Sequence, residues 1–254
     1  MENVDQVLRG SQQPAAGQTF VVAGKFRAWS ASNVLKCAMP VDAKHFEPRW
    51  PAMVALLAVG GLRLALPRSL AVGPDWLFLV VLGVLILLYG LALLLRGYGF
   101  STVLGYLLVA LVTLDMSWSL GLLVAGLSSH QLTPIVLLRS AAALWCTNII
   151  VFASWYWRLD AGGPHAREQR GVHCDGAFLF PQMALTPEAR REMCEDTWSP
   201  GFVDYLFLAF NTSTAFSPTD SPVLTRWAKV LMMIQSFISL ATVALIAARA
   251  VNIL

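Results

Sequence analysis

The stretch that decides the fold lies near the C-terminus: Asp204–Phe210 reads DYLFLAF, Asn211–Asp220 reads NTSTAFSPTD, and Val223–Leu254 is a long apolar run. Residues 201–210 have the pattern of a short amphipathic helix, and the turn after them is rich in hydroxyl groups. The final run is longer than the roughly 20 apolar residues that a membrane-spanning helix needs. Irregular backbone at membrane depth persists only where it is buried in protein or lines water. This order therefore predicts a re-entrant half-helix, a loop and a spanning helix.

The composition of the whole chain is too apolar for a soluble protein. Of its 254 residues, 57% are hydrophobic and 13% are charged, whereas a soluble domain carries about 25% charged residues. The net charge of +3 gives no signal for nucleic-acid binding, because basic residues between apolar runs more often set the orientation of the spans. We therefore expect an all-α, multi-pass membrane protein surrounded by lipid.

Apolar runs predict four or five membrane-spanning helices. Four runs reach the necessary length, whereas the first, at about 50–67, is shorter and is interrupted by Gly60, Gly61 and Arg63. Most connections are short, which makes consecutive helices antiparallel neighbours. The predicted divisions are a polar N-terminal tail at 1–49, three transmembrane helices within 50–133, and a C-terminal module at 134–254 with an outer helix (134–157), an extended loop (158–199), a half-helix with its loop (200–222) and an inner helix (223–254).

Three segments of the C-terminal module carry a resemblance: Asp204–Phe210, Thr214–Asp220, and the final helix from Leu224 to Arg249. They resemble the pore helix, filter and inner helix of tetrameric potassium-type cation channels. The ending is also similar to that of uncharacterised bacterial integral membrane proteins. The resemblance implies a homotetramer in a bacterial cell membrane that passes monovalent cations.

The loop departs from the potassium-channel pattern. A Thr-Val-Gly-Tyr-Gly loop directs backbone carbonyls at the ion, and its glycines adopt angles closed to other residues. Aligned on Asp220, this chain has Ser217 and Thr219 at the glycine positions and Pro218 at the tyrosine. Three interpretations of this loop remain. It is a wider, hydroxyl-lined cation filter, a loop that no longer conducts, or a turn that only caps the last helix. The candidate ion-pathway residues are Thr212, Ser213, Thr214, Ala215, Phe216, Ser217, Pro218, Thr219 and Asp220.

Other polar residues fall inside the apolar runs. Asp115 lies near the middle of the third run, and an intramembrane carboxylate is a functional-site hypothesis by default. One interpretation is that Asp115 acts in a proton- or solute-coupled transporter. The other is that it forms a buried ion pair, for which Arg139 is the candidate partner. Asn148 and Gln235 are expected to form hydrogen bonds between helices, each of about 0.6 kcal/mol, and Gln235 could also face a pore. Arg63 is expected to extend to the nearby interface.

No motif predicts catalysis. The sequence lacks Gly-x-Ser-x-Gly, His-Glu-x-x-His and a phosphate-binding glycine loop, and its cysteines and histidines lack metal-ligand spacing. We therefore expect no enzyme, no metal and no cofactor, and a non-conducting membrane scaffold is the third functional alternative. Cys174 and Cys194, both in the long loop, could form a disulfide if that loop faces an oxidising compartment.

The orientation of the N-terminus is left open by the sequence. A pore loop that faces outward places the C-terminus inside, and five spans then place the N-terminus outside. Lys36, Lys44, Arg49 and Arg96 instead favour an internal N-terminus under the positive-inside rule. Four spans would put both ends on the same side.

Overall fold

The computed structural model describes residues 47–71, 73–95, 97–126, 133–170, 175–193, 198–214 and 221–251. Within these ranges the secondary structure is helical, and a single antiparallel bridge, Phe178 to Val223, is the only β-type pairing. This confirms the predicted all-α fold. The helices are α1 (Trp50–Arg63), α2 (Asp75–Leu94), α3 (Tyr98–Gly126), α4 (Pro134–Leu159), α5 (Pro164–Arg170), α6 (Pro181–Ala184), α7 (Pro187–Glu192), α8 (Phe202–Thr214) and α9 (Arg226–Val251), with 3₁₀ turns at Arg68–Leu70 and Asp160–Gly162.

Four helices, α2, α3, α4 and α9, are long and apolar enough to cross a membrane. Even the shortest, α2, has 20 residues, which gives about 30 Å at 1.5 Å per residue and matches a hydrocarbon core of about 30 Å. The protein is therefore a polytopic integral membrane protein, as the sequence predicts. Helix α1 has only 14 residues, about 21 Å, and cannot cross as a helix alone.

Helices α1 and α2 pack against each other in antiparallel orientation. A Cβ built on Gly90, near the end of α2, would lie 3.5 Å from Met53, near the start of α1. At the other end of the pair, the guanidinium of Arg63 lies 5.4 Å from the centroid of the Phe78 ring. The start of α1 therefore lies beside the end of α2.

The short helices between α4 and α8 mark one end of the bundle, which we call the loop side (residues 160–170 and 175–193). Arg49 donates to Glu168 at 2.6 Å, so the start of α1 lies on the loop side. From there α1 and residues 64–71 lead towards the start of α2 at the opposite end. Together with α2, α3, α4 and α9, the described chain therefore runs through the bundle five times, and the last four of these helices are long enough to span a membrane. Residues 47–49 lie on the loop side and α9 ends on the opposite side.

Helix α8 enters the bundle from the loop side and stops inside it. Its first residue, Phe202, packs edge-to-face on Trp157 at 5.7 Å, and its 13 residues extend about 20 Å. Its last turn lies beside Ser239 in the middle of α9. The chain is back on the loop side at Pro222, whose carbonyl accepts from the backbone N–H of Leu179 at 3.0 Å. Helix α8 is thus the half-length, re-entrant element that the sequence predicts.

The five-pass arrangement predicts which residues share a side of the membrane. In a protein whose four native cysteines are replaced by serine, we expect Pro48→Cys and Glu188→Cys to react with a membrane-impermeant maleimide from one side. Ser69→Cys should react only from the other side, because α1 and residues 64–68 cross the bundle between Pro48 and Ser69. All three positions are exposed. Labelling of Pro48→Cys and Ser69→Cys from the same side would show that this segment does not cross.

Candidate functional site

The C-terminal end of α8 is the centre of the candidate site. The last four carbonyls of a helix have no intrahelical partner, and inside an apolar bundle no bulk water is available to bond them. Hydroxyl groups satisfy three of these four carbonyls, and two of the three donors come from α9. The pairs are Thr214 Oγ1 to Asn211 O at 3.0 Å, Ser236 Oγ to Thr212 O at 3.3 Å, and Ser239 Oγ to Ser213 O.

Gln235 joins three helices at this point. Its side chain is fully buried, and its Nε2 donates to the carbonyl of Ala209 and to Ser213 Oγ, both at 2.7 Å. Its Oε1 accepts from the hydroxyl of Tyr156 at 2.5 Å, and its backbone carbonyl accepts from Asn148 Nδ2 at 3.3 Å. The amide therefore ties α9 to both α8 and α4.

The first three predicted ion-pathway residues belong to this structural network. The sequence predicts Thr212, Ser213 and Thr214 in a polar loop, whereas the structure places them in the last turn of α8. The reason is local, because Thr212 Oγ1 donates to the carbonyl of Leu208 at 2.8 Å, one turn earlier in the helix. The hydroxyls of Thr212, Ser213 and Thr214 are thus engaged within the protomer. The other six, Ala215, Phe216, Ser217, Pro218, Thr219 and Asp220, lie outside the described residues.

A second buried network fixes the start of α8 on the loop side. The hydroxyl of Tyr205 donates to Asp160 Oδ2 at 2.6 Å. Arg167 donates to the carbonyl of Asp160 at 2.8 Å and forms an ion pair with Glu47 at 3.0 Å. Burial raises the pKa of Tyr205 well above its ordinary value, although the nearby Arg167 acts in the opposite direction. The phenol therefore stays protonated and keeps donating to Asp160.

Asp115 lies in a buried ion pair with Arg63. The Nε of Arg63 is 3.0 Å from each carboxylate oxygen of Asp115. The structure thus differs from two expectations, because Arg63 is buried instead of extending to the interface, and Arg139 is exposed and is not the partner. The physical reason is that the short helix α1 ends inside the bundle, which leaves its last residue facing the middle of α3.

The remaining predicted residues add no reactive centre to this region. Cys174 and Cys194 lie outside the described residues, so their disulfide stays a prediction. Cys146 is a free, half-buried thiol on α4. Among the residues that the structure describes, no three His, Cys, Asp or Glu side chains lie together as metal ligands would.

No family model, curated protein or solved structure matches this chain. The resemblance to potassium-type channels therefore rests on the sequence segments alone.

Sequence reasoning missed the polar face of α9. It singled out Gln235 but not Ser236, Ser239 or Thr242, although these four residues recur at helical spacing in an otherwise apolar run. Residues three, four and seven positions apart lie on one face of a helix, and small hydroxyl residues often mark helix–helix contacts in membranes. That spacing was the signal available, and it indicates the surface on which α8 packs.

The Gln235 network predicts a specific loss of stability. Gln235→Met keeps a similar side-chain volume but removes the hydrogen bonds to Tyr156, Ala209 and Ser213. We expect the free energy of unfolding to fall by about 1–3 kcal/mol, the cost of leaving buried polar groups without partners. Unfolding of the detergent-solubilised protein measures this, with Met233→Leu, at an exposed position on the same helix, as the control. An unchanged unfolding midpoint in Gln235→Met would contradict the assigned network.

The Arg63–Asp115 pair predicts non-additive effects on stability. Asp115→Asn leaves a buried guanidinium beside a neutral amide and should cost about 3–5 kcal/mol, the range for breaking a buried pair. The double variant Arg63→Met with Asp115→Leu removes both charges and should be more stable than Asp115→Asn alone. The same unfolding measurement compares the two. A double variant less stable than the single one would show that the charges do not act as a pair.

Proposed function

We propose that this integral membrane protein is a pore-loop cation channel in a bacterial cell membrane, with a filter of non-standard sequence and four copies of the chain around the path. The observation that carries the proposal is the course of α8, which re-enters from the loop side and ends inside the bundle. Non-helical backbone after such a helix is tolerated at depth only when protein or a water-filled cavity surrounds it. A loop that lines an ion path is one arrangement that meets this condition.

The direction of α8 favours cations. Aligned peptide dipoles give the C-terminal end of a helix a partial charge of about −0.5, and this end of α8 points into the bundle. No charged residue lies on α9 between Lys229 and Arg249, so no basic side chain on that stretch opposes a cation. Backbone and hydroxyl oxygens of Thr214–Thr219 would coordinate the ion, and the carboxylate of Asp220 would add negative potential at the mouth.

The outer surface of α9 supports assembly from several copies. This helix is the least buried of the four long helices. Its polar residues at 235, 239 and 242 are fully buried, whereas Met233, Phe237 and Leu240 are 63%, 74% and 64% exposed. In the proposed assembly the path would form between copies, next to the ends of their α8 helices. A lining of these apolar side chains would act as a hydrophobic constriction that gates by dewetting.

Cation flux into liposomes tests the proposal. In the cysteine-free protein, we expect flux under an imposed potassium or sodium gradient, and we expect a thiol reagent to block it in Thr214→Cys. Ser117→Cys, exposed on α3, is the matched control and should stay insensitive to the reagent. No flux under any cation gradient or voltage would contradict a channel and favour a scaffold or a transporter that uses Asp115. Equal block of both variants would contradict the position assigned to the path.

A further inference from the structure

A pocket on the loop side lies apart from the α8–α9 site. Its enclosed part has a volume of about 20 Å³, and it sits between the end of α2, the start of α3 and the junction of α4 with α5. Among the residues that line it are Tyr89, Ser101, Tyr106, Arg158 and His165, and the turn at 162–164 closes one wall. None of these residues contributes to the hydrogen bonds around Gln235.

Arg158 is a buried cation without a carboxylate partner among the described residues. The residue is only 4% exposed, and none of the ion pairs that the structure describes includes it. Its Nε has no hydrogen-bond partner. The rings of Tyr89 and Trp157 lie 5.3 and 5.2 Å from the guanidinium carbon, and such contacts offset only part of the cost of burying a charge.

Two glycines make the position of Arg158 possible. A Cβ on Gly105 of α3 would lie 1.9 Å from the NH1 atom of Arg158, so the guanidinium rests directly on the helix backbone at a place where any side chain would displace it. Gly163 has a φ of +88°, and a Cβ there would lie 2.7 Å from the carbonyl oxygen of Arg158. Gly105 thus leaves the space for the guanidinium, and Gly163 leaves the space for the turn against the backbone of Arg158.

The other groups at the pocket supply no negative charge to Arg158. The Nδ1 of His165 lies 2.8 Å from Arg49, and because a guanidinium only donates, Nδ1 accepts. The proton of this neutral imidazole is then on Nε2, which donates to Ser101 Oγ at 2.9 Å, while the Ser101 hydroxyl donates to the carbonyl of Tyr98 at 3.0 Å. Arg49 itself is paired with Glu168 at 2.6 Å. Arg158 therefore stays the uncompensated charge of this pocket among the described residues.

We propose that the pocket binds a small monovalent anion of the halide type against Arg158. A carboxylate or phosphate is held best by two parallel N–H groups of a guanidinium. Here the enclosed part of the pocket has a volume of only about 20 Å³, and Arg158 brings to it one positive charge that no described carboxylate offsets, which suits a small spherical monovalent ion. The bound anion would join the loop-side ends of α2, α3 and α4, independently of any ion path through α8.

Anion-dependent stability tests the site in the full-length detergent-solubilised protein. At constant ionic strength, replacing sodium gluconate by sodium chloride should raise the unfolding temperature saturably, by about 5 °C once chloride far exceeds its dissociation constant. Arg158→Gln should abolish this dependence. Arg139→Gln, an exposed arginine on the same helix, should retain it. Equal unfolding temperatures of the wild type in the two salts would overturn the proposal.

Two further measurements complete the test. Sodium phosphate and sodium acetate at the same ionic strength should give no comparable rise, and a larger rise in either would overturn the halide assignment. If Arg158→Gln does not fold, chlorine-35 NMR of the wild type replaces it. Excess chloride line broadening that bromide displaces and that Arg139→Gln retains supports the site, and no excess broadening overturns it.

Discussion

A helix that ends inside an apolar bundle must have its terminal carbonyls hydrogen-bonded, and the C-terminal half of this protein is organised around that constraint. Each polar group left unsatisfied in hydrocarbon costs several kcal/mol, which is more than a typical contact between membrane helices contributes. The carbonyls of Thr212 and Ser213 accept from hydroxyls of α9, and Gln235 carries the connection on to α4. The polar residues of α9 therefore lie where α8 needs donors.

The opposite end of α8 is fixed by charge, and the same charges join the first helix to the module. Asp160 holds Tyr205 at the start of α8, while Arg167 bonds the backbone of Asp160 and pairs with Glu47, just before α1. Inside the bundle, Arg63 at the end of α1 pairs with Asp115 of α3. Buried ion pairs add little net stability but are costly to break, so they specify which helices meet. The start of the half-helix is thus fixed by charged groups that include Glu47, just before α1.

The features that the sequence predicted are those set by local pattern. A run of about 20 apolar residues is sufficient to predict a spanning helix. A short helix followed by a polar turn and a long helix was sufficient to predict that the short helix is re-entrant. The last turn of α8 was missed because hydroxyl residues such as Thr212 occur both in loops and in helices, where they bond the carbonyl one turn earlier. The pairing of Asp115 with Arg63, 52 residues away in the chain, and the burial of Arg158 on Gly105 depend on packing between helices. Neither contact can be predicted from the spacing of residues along one helix.

The central claim is that α8 and α9 of several copies surround a shared path. A three-dimensional reconstruction of the protein in lipid nanodiscs by electron cryo-microscopy tests it most directly. The account predicts four copies, with the C-terminal ends of α8 directed at the common axis and the apolar faces of α9, including Met233 and Phe237, turned towards it. A single copy with lipid along that face of α9, or a ring in which α8 points away from the axis, would contradict the account.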